Sequence, residues 1–169
     1  MWYVVQVRTG TEENIRIQCE RRIPRDLLTD CFIPYYEEPK KVDGQWIKQR
    51  RVLFPGYVFV VTDDVTALYL QLKCVSGLTK LIGAGRDIIA LTDSERAFIE
   101  SFGGDEKVMG MSTGIIEGDH IIIQSGPLMG REGCIKKIDR HKRKAWLELP
   151  MFGRTQRVQV GLEIVAKKG

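Results

Sequence analysis

The residues best suited to chemistry form a basic run in the C-terminal third of the chain. Its seven members are Lys136, Lys137, Arg140, His141, Lys142, Arg143 and Lys144, and Asp139 is the one acid among them. A charge run of this kind is typical of a solvated hairpin tip, but it also suits the phosphates of an RNA duplex or loop. In a small barrel Arg131, Arg154 and Arg157 would lie nearby. We predict that all ten residues bind RNA.

The formal charge is divided unevenly along the 169 residues. Residues 1–114 contain 15 Lys and Arg and 16 Asp and Glu, a net charge of −1. Residues 115–169 contain 11 Lys and Arg and 6 Asp and Glu, a net charge of +5. An excess confined to one part of a chain indicates a polyanionic partner for that part alone.

Catalytic and metal chemistry have little support in the sequence. The two histidines are His120 and His141, and Asp119 next to His120 would point to the opposite face of a strand. The four cysteines, at positions 19, 31, 74 and 134, include no CxxC pair, and we interpret them as buried free thiols of a reducing cytoplasm. We predict no enzymatic activity, no metal and no cofactor.

An aromatic and β-branched strand follows the turn at Pro55 and Gly56. With period two, Tyr57, Phe59 and Val61 share one face, and Val58 and Val60 share the other. Phe54 enters just before the turn. Pattern alone favours ordinary core; the alternative is an exposed aromatic patch that docks a partner.

The first part of the chain predicts the element order β-α-β-β-α-β-α, a ferredoxin-like split βαβ with one added helix. A first strand over Trp2–Arg8 precedes a helix from Thr11 to Pro24. Glu37–Gln49 predicts a projecting hairpin with its turn at Asp43 and Gly44. After a helix over Asp64–Lys73, the pattern predicts a strand at Leu78–Ile82, and a capping box, Thr92 to Glu95, opens the last helix.

The last part of the chain predicts a different architecture. Residues 103–114 are rich in glycine and predict a flexible interdomain linker. Five short strands are predicted after it: Asp119–Ile123, Glu132–Asp139, Lys144–Leu149, Arg154–Val160 and Leu162–Val165. Five strands in about 50 residues favour a small, strongly bent β-barrel. The predicted fold class is therefore α+β, with domains at 1–102 and 115–169, and limited proteolysis should cut first between them.

Two sets of motifs resemble one known family over nearly the whole chain. Trp2-Tyr3-Val4-Val5 and Phe54-Pro55-Gly56-Tyr57-Val58 resemble the N-terminal (NGN) domain of NusG. Gly118-Asp119, Ser125-Gly126-Pro127-Leu128 and the strand opened by Gly133 resemble a KOW motif, an SH3-like five-stranded barrel. The resemblance implies a cytoplasmic, monomeric elongation factor that rides on RNA polymerase.

The resemblance also implies roles for individual residues. Phe54, Tyr57 and Phe59 match family positions that pack on the clamp helices of RNA polymerase. The loop with Phe152 and Arg154 matches one that docks a ribosomal protein or a termination factor.

The strongly basic KOW part and the absence of an acidic leader most resemble LoaP antiterminators. That subgroup implies recruitment by a hairpin in the nascent leader RNA and processive antitermination. The alternative is a general NusG factor that couples polymerase to the ribosome or a termination factor without RNA specificity.

Overall fold

The computed structural model describes residues 1–75, 88–102 and 106–168. It confirms the mixed α+β fold class. The chain divides into two compact units, one of residues 1–33 and 54–98, the other of residues 34–53 and 99–169. Among the helices in the described ranges, none has the length and apolar character needed to cross a membrane.

The helices and strands are numbered here in chain order. They are β1 (Trp2–Gln6), α1 (Glu12–Arg22), β2 (Asp30–Phe32), β3 (Tyr35–Val42), β4 (Gln45–Val52), β5 (Tyr57–Val61), α2 (Val65–Leu72), β6 (Ile88–Ala90), α3 (Asp93–Glu100), β7 (Val108–Met109), β8 (Ser112–Glu117), β9 (His120–Ser125), β10 (Ile135–Asp139), β11 (Lys144–Met151) and β12 (Arg154–Lys168). A short 3-10 helix, Glu132–Cys134, precedes β10.

The first unit is built on a four-stranded antiparallel sheet in the order β2-β5-β1-β6. This is the strand order of the ferredoxin-like fold that the sequence predicts. β1 and β5 are central, and Val4, Val5, Val58 and Val60 on them are almost completely buried. The predicted strand at Leu78–Ile82 lies outside the described residues, and β6 forms the sheet edge beside β1.

Local hydrogen bonds explain where two helices of this unit begin. Glu12, 4% exposed, accepts hydrogen bonds from the backbone N–H groups of Gly10 (2.9 Å) and Gly56 (2.8 Å). Gly56 has a positive φ of 88°, which glycine adopts readily. The hydrogen bond from its N–H to the Glu12 carboxylate holds the turn that leads into β5. At α3 the predicted capping box is confirmed, since Thr92 and Glu95 exchange hydrogen bonds at 2.8 and 3.2 Å.

The second unit contains a five-stranded sheet in the order β10-β11-β12-β8-β9. Side chains alternate on β11, where Ala145, Leu147 and Leu149 are buried between more exposed neighbours. The 3-10 helix contacts both β9 and β11, so the ends of the sheet approach each other in a barrel-like arrangement. The unit also holds the predicted hairpin, β3–β4, with Asp43 and Gly44 at its turn and positive φ at both.

The strands of this barrel-like sheet differ from the five predicted strands at two places. The two runs predicted on either side of Gly161 form one continuous strand, β12. Gly161 lies where a side chain would collide with its neighbours. A Cβ there would come within 2.4 Å of the carbonyl oxygen of Glu37. The fifth strand is instead β8, in the segment 112–117.

Ser112 and Gly126 explain why β8 belongs to this sheet. Ser112 is fully buried, and its hydroxyl accepts a hydrogen bond from the backbone N–H of Leu128 at 3.1 Å. A Cβ on Gly126, whose φ is 100°, would lie 2.6 Å from the Cα of Ser112. The Ser-Gly-Pro-Leu segment of the motif therefore packs directly on the strand that precedes it.

The predicted division at residues 103–114 stays a prediction. β7 pairs with β3 over only two residues, Tyr35↔Val108 and Tyr36↔Met109, a short ladder that local opening can release. We expect a protease of broad specificity to cut first within residues 103–114, with later cleavage elsewhere. Fragment masses over a time course measure the order. Primary cleavage within β5 or within Ile121–Ile123 would contradict the division.

Candidate nucleic-acid interface

The basic run forms the end of β10, the start of β11 and the turn between them. Lys136, Lys137, Arg140, His141 and Lys142 are exposed, whereas Arg143 and Lys144 are half-buried. Arg143 adopts a left-handed φ of 55°, and its carbonyl accepts a hydrogen bond from the backbone N–H of Leu162 at 3.0 Å. This hydrogen bond attaches the turn to the middle of β12. The backbone that carries the cations of the turn is therefore held in place by the sheet.

Asp139, the one acid in the run, serves the turn itself. Its carboxylate accepts a hydrogen bond from the backbone N–H of Lys142 at 2.9 Å. That bond, together with the nearby positive charge of Lys142, lowers the pKa of Asp139 below its ordinary value. The Asp139 carboxylate therefore helps to fix the backbone of the turn.

Trp146 lies between two lysines on the outward face of the sheet. Lys137 stands opposite it in the β10–β11 ladder. The Nζ atoms of Lys137 and Lys144 lie 4.9 and 5.3 Å from the centre of the indole ring, within range of a cation–π attraction. Lys144 also donates a hydrogen bond to Gln159 at 3.1 Å. An aromatic ring flanked by cations is the arrangement on which nucleic-acid bases stack.

The β3–β4 hairpin adds residues that the sequence interpretation left out. The guanidinium of Arg143 lies 4.2 Å from the ring centre of Trp46 on β4. Lys41 pairs with Trp46 in the hairpin ladder, and Lys40 precedes it on β3. Both tryptophans, Lys40 and Lys41 are visible in the sequence as aromatic and basic residues at hairpin positions. Their proximity to the turn depends on how the hairpin packs within the second unit.

Three of the ten predicted RNA-binding residues lie outside the turn between β10 and β11. Arg154 pairs with Met151, at the opposite end of β11 from Lys144, roughly 20 Å away at about 3.3 Å per residue. Arg157 lies between these ends and forms an ion pair with Glu148 at 2.9 Å, which lowers the pKa of Glu148. Arg131 precedes the end of β10 that is remote from the turn. The expectation that Arg154 adjoins the turn is wrong, because most of the length of β11 separates them. Arg157 lies nearer to the start of the basic run, since the charge of Lys136 also lowers the pKa of Glu148.

The predicted exposed aromatic patch is also wrong as a description of the surface. Phe54, Tyr57 and Phe59 are 1%, 5% and 0% exposed. The ring of Phe59 stacks on Phe32 at 5.2 Å and lies 6.0 Å from that of Phe54. Both faces of β5 are covered. The alternating side chains of this strand are therefore buried on both sides of the sheet. Whether these residues support a polymerase contact stays a prediction.

The loop that was predicted to dock a ribosomal protein is a two-residue turn between β11 and β12. Phe152 has a φ of 59° and is 4% exposed, whereas Arg154 is exposed. Only the arginine of this pair therefore presents its side chain to solvent.

Comparison with known proteins places the chain in a family. Residues 1–100 match the family model described as transcription termination factor nusG. The chain belongs to the NusG family. Its relatives include the transcription termination/antitermination protein NusG of Staphylococcus epidermidis, 30% identical over 98% of this chain and 94% of the relative. The NusG of Rickettsia felis is 25% identical over 98% of this chain and 89% of its own.

A solved structure extends the NusG likeness to the fold. Thermotoga maritima NusG, from a study of domain interaction, aligns with a TM-score of 0.58 and 24% identity. The alignment covers 95% of this chain and 92% of the Thermotoga chain. At this identity the likeness establishes the fold alone, a mixed α+β fold that includes a barrel-like sheet.

Proposed function

We propose that this NusG-family chain is a specialised antiterminator of the LoaP type. It binds the clamp helices of RNA polymerase through its N-terminal domain, residues 1–102. It is recruited to chosen operons, in the cytoplasm, by a hairpin in the nascent leader RNA, which its basic C-terminal part binds. The polymerase half of this proposal rests on family membership.

The RNA half rests on one observation, the basic turn between β10 and β11. Seven cationic or histidine residues lie on this turn and on the two strands that it joins, and the single acid among them, Asp139, is hydrogen-bonded to the backbone. Trp46 and Trp146 lie beside the cations. Cations that track phosphates and aromatic rings that accept unstacked bases are the two components with which proteins bind looped RNA.

A general NusG factor is the second candidate. The alignment with Staphylococcus NusG, which covers 94% of that protein, favours this candidate. Over the aligned length, this chain differs from that relative by substitutions and not by an added domain. In this case the exposed Arg154 would contribute to a ribosomal or termination-factor contact, and the basic turn would be a solvated surface.

RNA binding by the full chain distinguishes the two candidates. We expect the chain to select particular members of a stem–loop RNA pool with a randomised loop, and to prefer them to duplex DNA of the same stem. If about four phosphates are neutralised, log affinity falls against log salt with a slope of about −3. Fluorescence anisotropy over a salt series measures both. Equal affinity for all loops and for DNA would leave only a generic basic surface and would favour the general factor.

A further inference from the structure

The strongest unassigned feature is a cleft between the β3–β4 hairpin and the β10–β11 turn, which we call the hairpin cleft. Both walls belong to the second compact unit. Its volume is about 380 Å³, and its lining includes Glu38, Lys40, Lys41, Trp46, His141 and Lys142. Sites of roughly 300–1,000 Å³ hold small-molecule-sized groups. The hairpin cleft is therefore large enough for one nucleotide and too small for a duplex.

The charges around the hairpin cleft favour an anion. Lys40 and Lys41 belong to one wall and Lys142 to the other, and all three are exposed. Lys41 shares the face of the hairpin with Trp46, its partner in the ladder. Cations that line a concave site attract a phosphate more strongly than the same cations on a convex surface. A nucleotide phosphate bound between them would relieve their mutual repulsion.

Glu38, the carboxylate in the lining, does not oppose this charge. It is 6% exposed and accepts hydrogen bonds from Gln49 and from Arg51, each at 2.6 Å. Tyr36 donates to its other oxygen at 3.3 Å. Burial raises the pKa of Tyr36, which keeps this hydroxyl protonated as a donor. The negative charge is thus compensated inside the wall.

Trp46 supplies an apolar plane at the hairpin cleft. Its side chain remains 42% exposed although it lines a concave site, and Arg143 lies over the ring. A guanidinium on an indole fixes the ring plane while leaving ring surface for a further planar group. A nucleobase is such a group, and stacking on aromatic rings holds unpaired bases in many RNA complexes.

We propose that the hairpin cleft takes one unpaired nucleotide of the bound RNA. The base stacks on Trp46, and its phosphate lies between Lys41 and Lys142. The inference rests on the proposed RNA binding and deepens it, because it assigns the loop of the stem–loop, rather than the stem, to a defined pocket. An acidic peptide in the same cleft would need the charges but not the ring.

Substitution at Trp46 in the full chain tests this assignment. We expect Trp46→Ala to weaken binding of the selected stem–loop by about 5- to 100-fold, the range of one lost base stack. Trp46→Phe keeps a stacking ring and stays within about threefold of the parent chain. The matched control is Ile47→Ala, at a similarly exposed neighbour on β4 that is 48% exposed. Affinity for the blunt duplex of the same stem should not change in any variant.

Crosslinking of the unsubstituted chain gives a second measurement, which does not depend on how the variants fold. Stem–loops that carry 5-iodouridine at one loop position should crosslink to the peptide containing Trp46, and an abasic loop position should abolish the preference for that loop. Undiminished loop binding by Trp46→Ala, or crosslinks only to other peptides, would overturn the pocket while leaving RNA binding intact. Absence of any RNA binding by the parent chain would overturn both proposals.

Discussion

Reversal of Lys142, Arg143 and Lys144 to Glu is expected to reduce the affinity of the full chain for its selected stem–loop by about 100-fold or more. Phosphate contacts supply much of the affinity of such complexes. The triple change replaces three cations by three anions at the turn, so it adds repulsion to the lost attraction. Fluorescence anisotropy at fixed salt measures the loss, and the salt slope should become shallower.

The control for this reversal carries the same change in net charge. Arg25, Lys167 and Lys168 are exposed and do not belong to the basic run. The two lysines lie at the end of β12, and Arg25 belongs to the other compact unit. Their reversal to Glu is expected to change RNA affinity only through long-range electrostatics, by less than about threefold at physiological salt. Equal losses of RNA affinity in the two triple variants would show that binding depends on the net charge of the chain and not on the basic turn.

Replacement of Phe59 by Ala is expected to destabilise the fold by about 3–5 kcal/mol, the cost of deleting a buried phenyl ring. The ring is 0% exposed and lies between Phe32 and Phe54 in the centre of the first unit. A loss of this size is a large fraction of the 5–15 kcal/mol by which domains are typically stable. Urea unfolding followed by circular dichroism measures it.

A neighbouring exposed residue provides the comparison for Phe59. Leu70 on α2 is 57% exposed, so Leu70→Ala should change the free energy of unfolding by less than about 0.5 kcal/mol. The family resemblance implies instead that Phe59 is a polymerase anchor, which would require an exposed face. A Phe59→Ala variant that kept its stability and lost polymerase binding would restore that interpretation.

Local signals account for the elements that the sequence predicted correctly. The hairpin at Asp43 and Gly44 needs positive φ at its turn, and the capping box at Thr92 and Glu95 closes on itself within four residues. The glycine in the Pro-Gly turn is needed because φ is 88°. Each depends on residues adjacent in the chain, so composition and spacing were sufficient.

Local residue type and spacing did not predict which faces of β5 are buried. Alternation assigns Tyr57 and Phe59 to one face and Val58 and Val60 to the other, but it does not say which face is covered. All four are buried. A strand that is buried on both faces has the same apolar pattern as a strand with one exposed aromatic face. The pattern cannot distinguish them, because the residues that bury each face are distant in the sequence.

The sequence by itself determined the family, the α+β class and the basic character of the C-terminal part, because these depend on residue type and order. Only the tertiary structure decided which charges act together. Strand pairing put Arg154 at the far end of β11 from the basic turn. Packing of the β3–β4 hairpin put Trp46 beside Arg143, about 100 residues away in sequence, and Lys40 and Lys41 across a cleft from Lys142. Such neighbours follow from long-range pairing, on which spacing along the chain carries no information.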